Sequence, residues 1–405
     1  MIVIRPTRRW ALVLAGQIFD EWIVVEINRD IEDLTGSFTF ELRDAQRSGA
    51  AHPFATLASF KRMVTVGLEA EIRLDGKTIL KGWIDRIAPH AGEDGASVTI
   101  EGSDKARDLI DGAATVDGPS EYRNKTVDQV GKEIVKPYGL DFRAEVDPGE
   151  PFERYVIEPG ETALSAIEKG LRQRGALLTS DGVGAVVMTK AGKERVGALR
   201  YPGNVTDTDG EFSIEGRHSE YVVKGQAEKA QGKRGTARLD ATAGPLVGDP
   251  SEWINEQLER ELGGVAIEGR QKDAEMVRYR PLVTLGRTQL TAEGAQKQAE
   301  WMERTAKGRG EELRHKVKDY YDEDGRLWRP NTLAPVSDAY QDVERDMLIA
   351  GTIYRYSEDD GEVTELRIAS PEAYDTEPVA GRRTNRAKQK KSGSSGPLDS
   401  TAHSL

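Results

Sequence analysis

The chain has 405 residues and no cysteine, with 57 Lys and Arg against 69 Asp and Glu and a formal net charge of −12. That length predicts two to four domains, the missing thiols exclude disulfides, thiolate metal sites and cysteine nucleophiles, and the acidic balance opposes standing affinity for a polyanion. No apolar run approaches the roughly 18 residues of a membrane span, and Arg5, Arg8 and Arg9 lead into only a short apolar stretch, so a soluble protein without membrane insertion, made in the cytoplasm, is expected.

Residues 1–112 read as a strand-rich β-barrel or sandwich. Trp10–Gly16 and Trp22–Ile27 are strand-length, and apolar residues alternate at Phe38, Phe40 and Leu42 and at Ile72 and Leu74. Asp75-Gly76 predicts a hairpin into Thr78–Ile84, and Ser97–Glu101 a closing strand. Residues 113–200 predict a small α/β domain: a helix over Thr126–Val135, a second carrying the stripe Leu164, Ile167 and Leu171 up to Gly175, then a hairpin of Ala176–Thr179 and Ala185–Thr189 about Asp181-Gly182.

Residues 201–374 return to strands at Glu220–Lys224, Thr352–Tyr356 and Thr364–Ala369, interrupted by a helical insertion at about 249–310. Its first helix starts at an Asp249 N-cap with Pro250 and Glu252 and buries Ile254, Leu258 and Leu262. The second starts at Thr291 and puts Ala295, Ala299, Met302 and Ala306 on one side. Residues 375–405 are polar and basic without periodicity, so a disordered tail is expected. The fold class is α+β, mainly β.

Motifs for chemistry are weak throughout. Glu158–Gly175, EPGETALSAIEKGLRQRG, feeds a glycine into a helix, but Gly160 has no glycine partners and Glu161 would set a negative charge in the mouth of an anion site, so it reads as scaffold. Gly225, Gly232 and Lys233 miss P-loop spacing, and Gly182 and Gly184 lack a third glycine and a following helix. Asp207, Asp209 and Gly210, like Asp322, Asp324 and Gly325, lack the first and last ligands of a calcium loop. His52, His90, His218, His315 and His403 are scattered without ligand spacing. No catalytic, cofactor-binding or metal-binding residue is assigned.

Segments in order along the chain resemble the baseplate hub proteins of Mu-like phages, related to the hubs of contractile injection systems. They are INRDIEDLTGSFTFEL, EGSDKARDLIDGAA, NKTVDQVGKEIVKPYGL with the EPGET helix, SEYVVKGQ, RYRPLV, AQKQAEWMERTAKGRG, GRLWRPNTLAPV and DMLIAGTIYRYSEDDGEVTELRIASPEAY. Lys318-Asp319-Tyr320-Tyr321 stands where that family usually has a Gly-Trp pair. The resemblance implies two similar tube-forming β-barrels flanking a LysM-like α/β domain. It also implies a homotrimeric ring in the virion, joining a six-fold tail tube or distal tail protein above to a three-fold spike below, beside other baseplate proteins. DNA would pass through on ejection without specific binding, and the protein would be structural, without catalysis. The rival expectation is a tail-associated peptidoglycan hydrolase or glycan-binding module, suggested by the LysM-like character of 113–200 and the many carboxylates.

Overall fold

The computed structural model describes residues 9–19, 22–43, 64–92, 95–192, 194–226, 266–285 and 292–375. The chain is mainly β, with few helices. The expected Asp249 helix falls outside the described residues, as does the tail beyond Asp375.

The first region contributes β1 (Trp10–Leu14), β2 (Gln17–Phe19), β3 (Val24–Asp30), β4 (Ser37–Arg43), β5 (Glu69–Leu74), β6 (Lys77–Gly92) and β7 (Gly95–Asp104). Asp75 and Gly76 take φ of 50° and 78° between the paired Leu74 and Lys77, the left-handed turn that matches strand twist. Alternation places Trp10, Leu12, Leu14, Ala70, Ile72 and Leu74 in one core with Trp22, Phe38 and Phe40.

The α/β region holds β8 (Glu121–Tyr122), α1 (Val127–Val135), β9 (Asp141–Ala144), β10 (Tyr155–Val156), α2 (Ala163–Arg172), β11 (Leu177–Ser180) and β12 (Ala185–Thr189). Thr126 and Gln129 form a capping box on α1, and the Thr162 hydroxyl accepts from the Ser165 N–H to start α2. Val130, Ile134, Ile167 and Leu171 from the helices meet Phe142, Val186 and Met188 from the sheet.

The remaining strands are β13 (Glu194–Arg195), β14 (Leu199–Tyr201), β15 (Val205–Phe212), β16 (Glu220–Gln226), β17 (Ala266–Lys272), β18 (Pro281–Leu285), β19 (Glu311–Lys318), β20 (Thr332–Asp338), β21 (Val343–Ser357) and β22 (Gly361–Ala369), with α3 spanning Ala292–Arg309. A small layer forms from β17-β16-β18, where α3 lays Ala295 and Ala299 on Tyr221, Val223 and Ile267.

Two separate β-barrels are not what the ladders form. One open 14-stranded sheet runs β15-β19-β22-β21-β3-β4-β7-β6-β5-β1-β2, with β13, β14 and β20 joining beside β21, and no ladder closes either half among the described residues. The physical reason lies in β21, which changes partner along its length. Val343–Ile349 pairs with β20, a bulge follows at Ala350, and Gly351–Ser357 pairs with β3. Gly351 has no room for a Cβ beside the Asp30 carboxylate, which lets the two backbones approach there.

Candidate interaction surfaces

The EPGET stretch turns on Gly160, at φ 82°, and its carboxylate serves the chain itself: Glu161 accepts from the Glu158 N–H at 2.9 Å and pairs with Lys169 at 2.8 Å. Burial works to raise the Glu161 carboxyl, but Lys169 and that N–H outweigh it and hold it below the ordinary value. This is a fastened helix start.

The other glycine and acid motifs are turns or edges. Asp181 Oδ1 collects the N–H groups of Val183, Gly184 and Ala185 at the β11–β12 turn, and the Gly182 carbonyl accepts from the Lys81 N–H at 2.7 Å, docking the α/β region on β6. Asp322 takes the N–H groups of Asp324, Arg326 and Gly197, and also pairs with the Arg326 guanidinium. Asp207 and Asp209 lie exposed on β15, and Gly225 lies within β16; Gly232 and Lys233 are outside the described residues.

Of the five histidines, His52 and His403 are outside the described residues, and His315 is the one built into a network. Its Nε2 lies 2.9 Å from Asp338 Oδ2 with both side chains fully buried, and Asp338 also accepts from Thr208 at 2.6 Å and from the Tyr340 and Gln341 N–H groups. Burial pushes the His315 ring below its ordinary pKa against the pull of Asp338, so it stays neutral. Its Nδ1 is buried without a partner among the described residues. Three strands, β15, β19 and β20, are thereby tied at one end of the second half.

The joint between the two halves is carried by arginines that sequence pattern does not flag. Arg367 grips Asp30 through two nitrogens, at 2.6 and 2.9 Å, and reaches Glu312 at 3.2 Å. Arg355 pairs with Glu26 and Glu365. Arg9 contacts Asp75, Asp319 and Glu362 and lies over the rings of Tyr320 and Tyr321. Burial alone would favour a neutral Arg9, but its three carboxylates more than offset this and keep it charged. Beneath it, Trp10 and Tyr320 meet edge to face with centroids 5.1 Å apart, and Tyr354 joins both at 6.0 Å. A cleft of about 370 Å³ opens where the three regions meet, and two ion pairs form among its lining charges: Arg143 with Asp181 at 3.6 Å and Arg329 with Glu194 at 2.9 Å.

Two features face outward. The two ends of the sheet's long path, β2 and β15, each have one unpaired edge among the described residues, beside the branch that ends at β13 and β14. β15 is exposed along most of its length and carries Asp207, Asp209 and Glu211 without a basic residue.

Comparison with known proteins agrees with a scaffold. Residues 10–104 match the N-terminal domain model of the Mu phage GpP-like baseplate assembly proteins, 106–190 the second domain of the gp44-like baseplate hub proteins, and 291–377 the fourth domain of GpP. The baseplate hub protein gp44 of Escherichia phage Mu is 27% identical over 375 residues, covering 92% of this chain and 90% of that protein. The 43 kDa tail protein of prophage MuSo2 from Shewanella oneidensis superposes with a TM-score of 0.70 at 28% identity, over 91% of this chain and 99% of that one. A tail protein from Neisseria meningitidis MC58 shares the fold at TM-score 0.67 and 19% identity, over 92% and 98% of the two chains. These relatives define a class: structural proteins of the phage tail, not enzymes. Within that class, the chain is a homologue of the Mu phage baseplate hub protein gp44, and its three matched regions are those of baseplate hub and baseplate assembly proteins of the phage tail.

Proposed function

We propose that three copies close head to tail into a ring that joins the tail tube, or a distal tail protein, to the spike and encloses the path of DNA ejection. The observation that carries this is the open sheet, whose long path ends at β2 in the first half and at β15 in the second. A cyclic trimer is heterologous, so each copy presents two different surfaces, and β2 and β15 are two different surfaces. The acidic row on β15 discourages casual edge pairing while leaving the edge to a specific neighbour.

In this reading residues 1–112 and 201–374 are the two tube-forming domains, whose likeness lets three subunits offer six near-equivalent faces to a six-fold tube and three to a spike. Residues 113–200 decorate the outside, and assembly takes place in the host cytoplasm with other baseplate proteins. The basic run 382–391 contributes +6 without an acid, leaving −18 on the rest of the chain, which suits a wall that passes DNA without holding it. Light scattering and negative-stain imaging test the reading: a three-fold ring with a central hole is expected. A protein that stays monomeric at high concentration, with tube and spike partners present, overturns it.

A further inference from the structure

The layer β17-β16-β18 lies outside the three matched regions, and its register sorts its side chains into two faces. Tyr221, Val223, Ile267 and Leu282 take one face, under α3. The other carries Pro281, Val283 and Leu285 of β18, level with Glu220, Val222 and Lys224 of β16. β18 leaves its side of that face to water, with Val283 57% exposed and Leu285 80%. A half-buried strand normally turns polar residues to solvent, so an apolar row there marks a surface that something covers.

The course of the chain says what covers it. Gln226 at the end of β16 pairs with Ala266 at the start of β17, a hairpin that a loop of about 2–5 residues would close. Residues 227–265, outside the described residues, intervene instead, and they leave and return at the end of the layer where Lys224 stands level with Leu285. Their sequence supplies the apolar stripe Ile254, Leu258 and Leu262 behind the Asp249-Pro250 start. It is also acidic, since 249–262 holds Asp249, Glu252, Glu256, Glu259 and Glu261 against Arg260 alone. The open face is basic by contrast. Arg270 takes up both of its acids, Glu220 and Glu268, while Lys224 and Lys272 have no ion pair among the described residues.

We infer that residues 249–262 pack on this open face, with Ile254, Leu258 and Leu262 against Val283 and Leu285, so that the long insertion caps the layer it interrupts. The contact lies within one chain and is independent of the ring reading, so it is tested in dilute protomers of the full chain. The chain has no cysteine, which makes a placed pair readable. Leu258→Cys with Val283→Cys should close a disulfide within one chain on mild oxidation, seen without reductant as a faster-running monomer band. Leu258→Cys with Val116→Cys, the latter at a position 86% exposed in the α/β region, should stay open. The single thiol of Leu285→Cys should label with maleimide roughly tenfold faster once Ile254→Glu and Leu258→Glu are added, with the β signal in circular dichroism unchanged. A Leu258–Val283 pair that closes no faster than the Val116 control, or a Leu285→Cys thiol that labels as fast as Val116→Cys, overturns the inference. Protection of Leu285→Cys that appears only as protein concentration rises means that a second copy covers the face, and protection that survives the two glutamates means that another part of the chain does; either overturns it as well.

Discussion

The α/β region buries a core drawn from its own elements, apart from Leu34, Ala106 and Leu109, whereas the first β half completes its core with Tyr320 and Tyr354 from the second. The α/β region meets the sheet through Leu177 and Ala191, packed on the cluster of Ile31, Leu348, Ala350 and Ala369, and through polar contacts such as Lys81 to Gly182 and Arg29 to the Ser180 carbonyl. The β halves share a seven-residue ladder and interlocking ion pairs. What this teaches is that order along the chain does not decide cooperativity: the two distant halves are expected to melt as one unit, and the region between them to separate first.

The sharpest test is Tyr320→Ala. Removing a fully buried ring that meets Trp10 and Tyr354 should cost about 4 kcal/mol. Urea unfolding should show that loss in both β halves, while hydrogen exchange in α1 and α2 stays close to wild type; equal loss of protection there would break the comparison. Arg367→Ala is next. It strands Asp30, whose side chain is only 17% exposed, and should cost about 3 kcal/mol across both halves. Pairing it with Asp30→Asn should recover part of the loss, measured as a double-mutant cycle.

Acid sharpens the contrast in another way. Because the folded protein holds His315 below its ordinary pKa near 6.5, the unfolded chain binds the extra proton first, so stability is full above that pH and falls as pH drops below it. The slope reaches about 1.4 kcal/mol per pH unit. Melting temperature should drop between pH 7.5 and 5.5 in the wild type, and His315→Gln should flatten that dependence at the β15–β19–β20 end. The smallest effect belongs to the α/β region: Thr162→Ala removes an N-cap worth about 1 kcal/mol and should loosen α2 alone. Exchange that also speeds up in β21 would show the two parts to be coupled.

Local structure was legible where chemistry and neighbours are close in sequence. Asp75-Gly76 names its own hairpin, and Leu164, Ile167 and Leu171 name the inner side of α2, with Ile167 and Leu171 buried. Ala295 and Ala299 do the same for α3. The sheet's continuity was not legible, because a period of two announces a strand and a buried side but not the partner. Nothing near Val24–Asp30 points to Gly351–Ser357, and the bulge at Ala350 that lets β21 serve two neighbours has no sequence signature. Arg9 and Arg367 were invisible for a related reason: each is one cation among 57 until the fold gathers its carboxylates. The interaction surfaces escaped as well, since apolar residues in alternation look the same whether the second side meets a neighbour or a core.

The pairing of β3 with β21 also sets a timetable. Asp30 leaves the ribosome about 320 residues before the Gly351 it will face. At about 5–20 residues per second, one edge of β3 therefore waits roughly 15–65 s for its partner, exposed to every other nascent chain nearby. The strand is not a bare apolar ribbon during that interval, because Glu26, Arg29 and Asp30 punctuate it with charge. Glu26 and Asp30 later take up Arg355 and Arg367, so the side chains that guard the unfinished edge are the ones that close it.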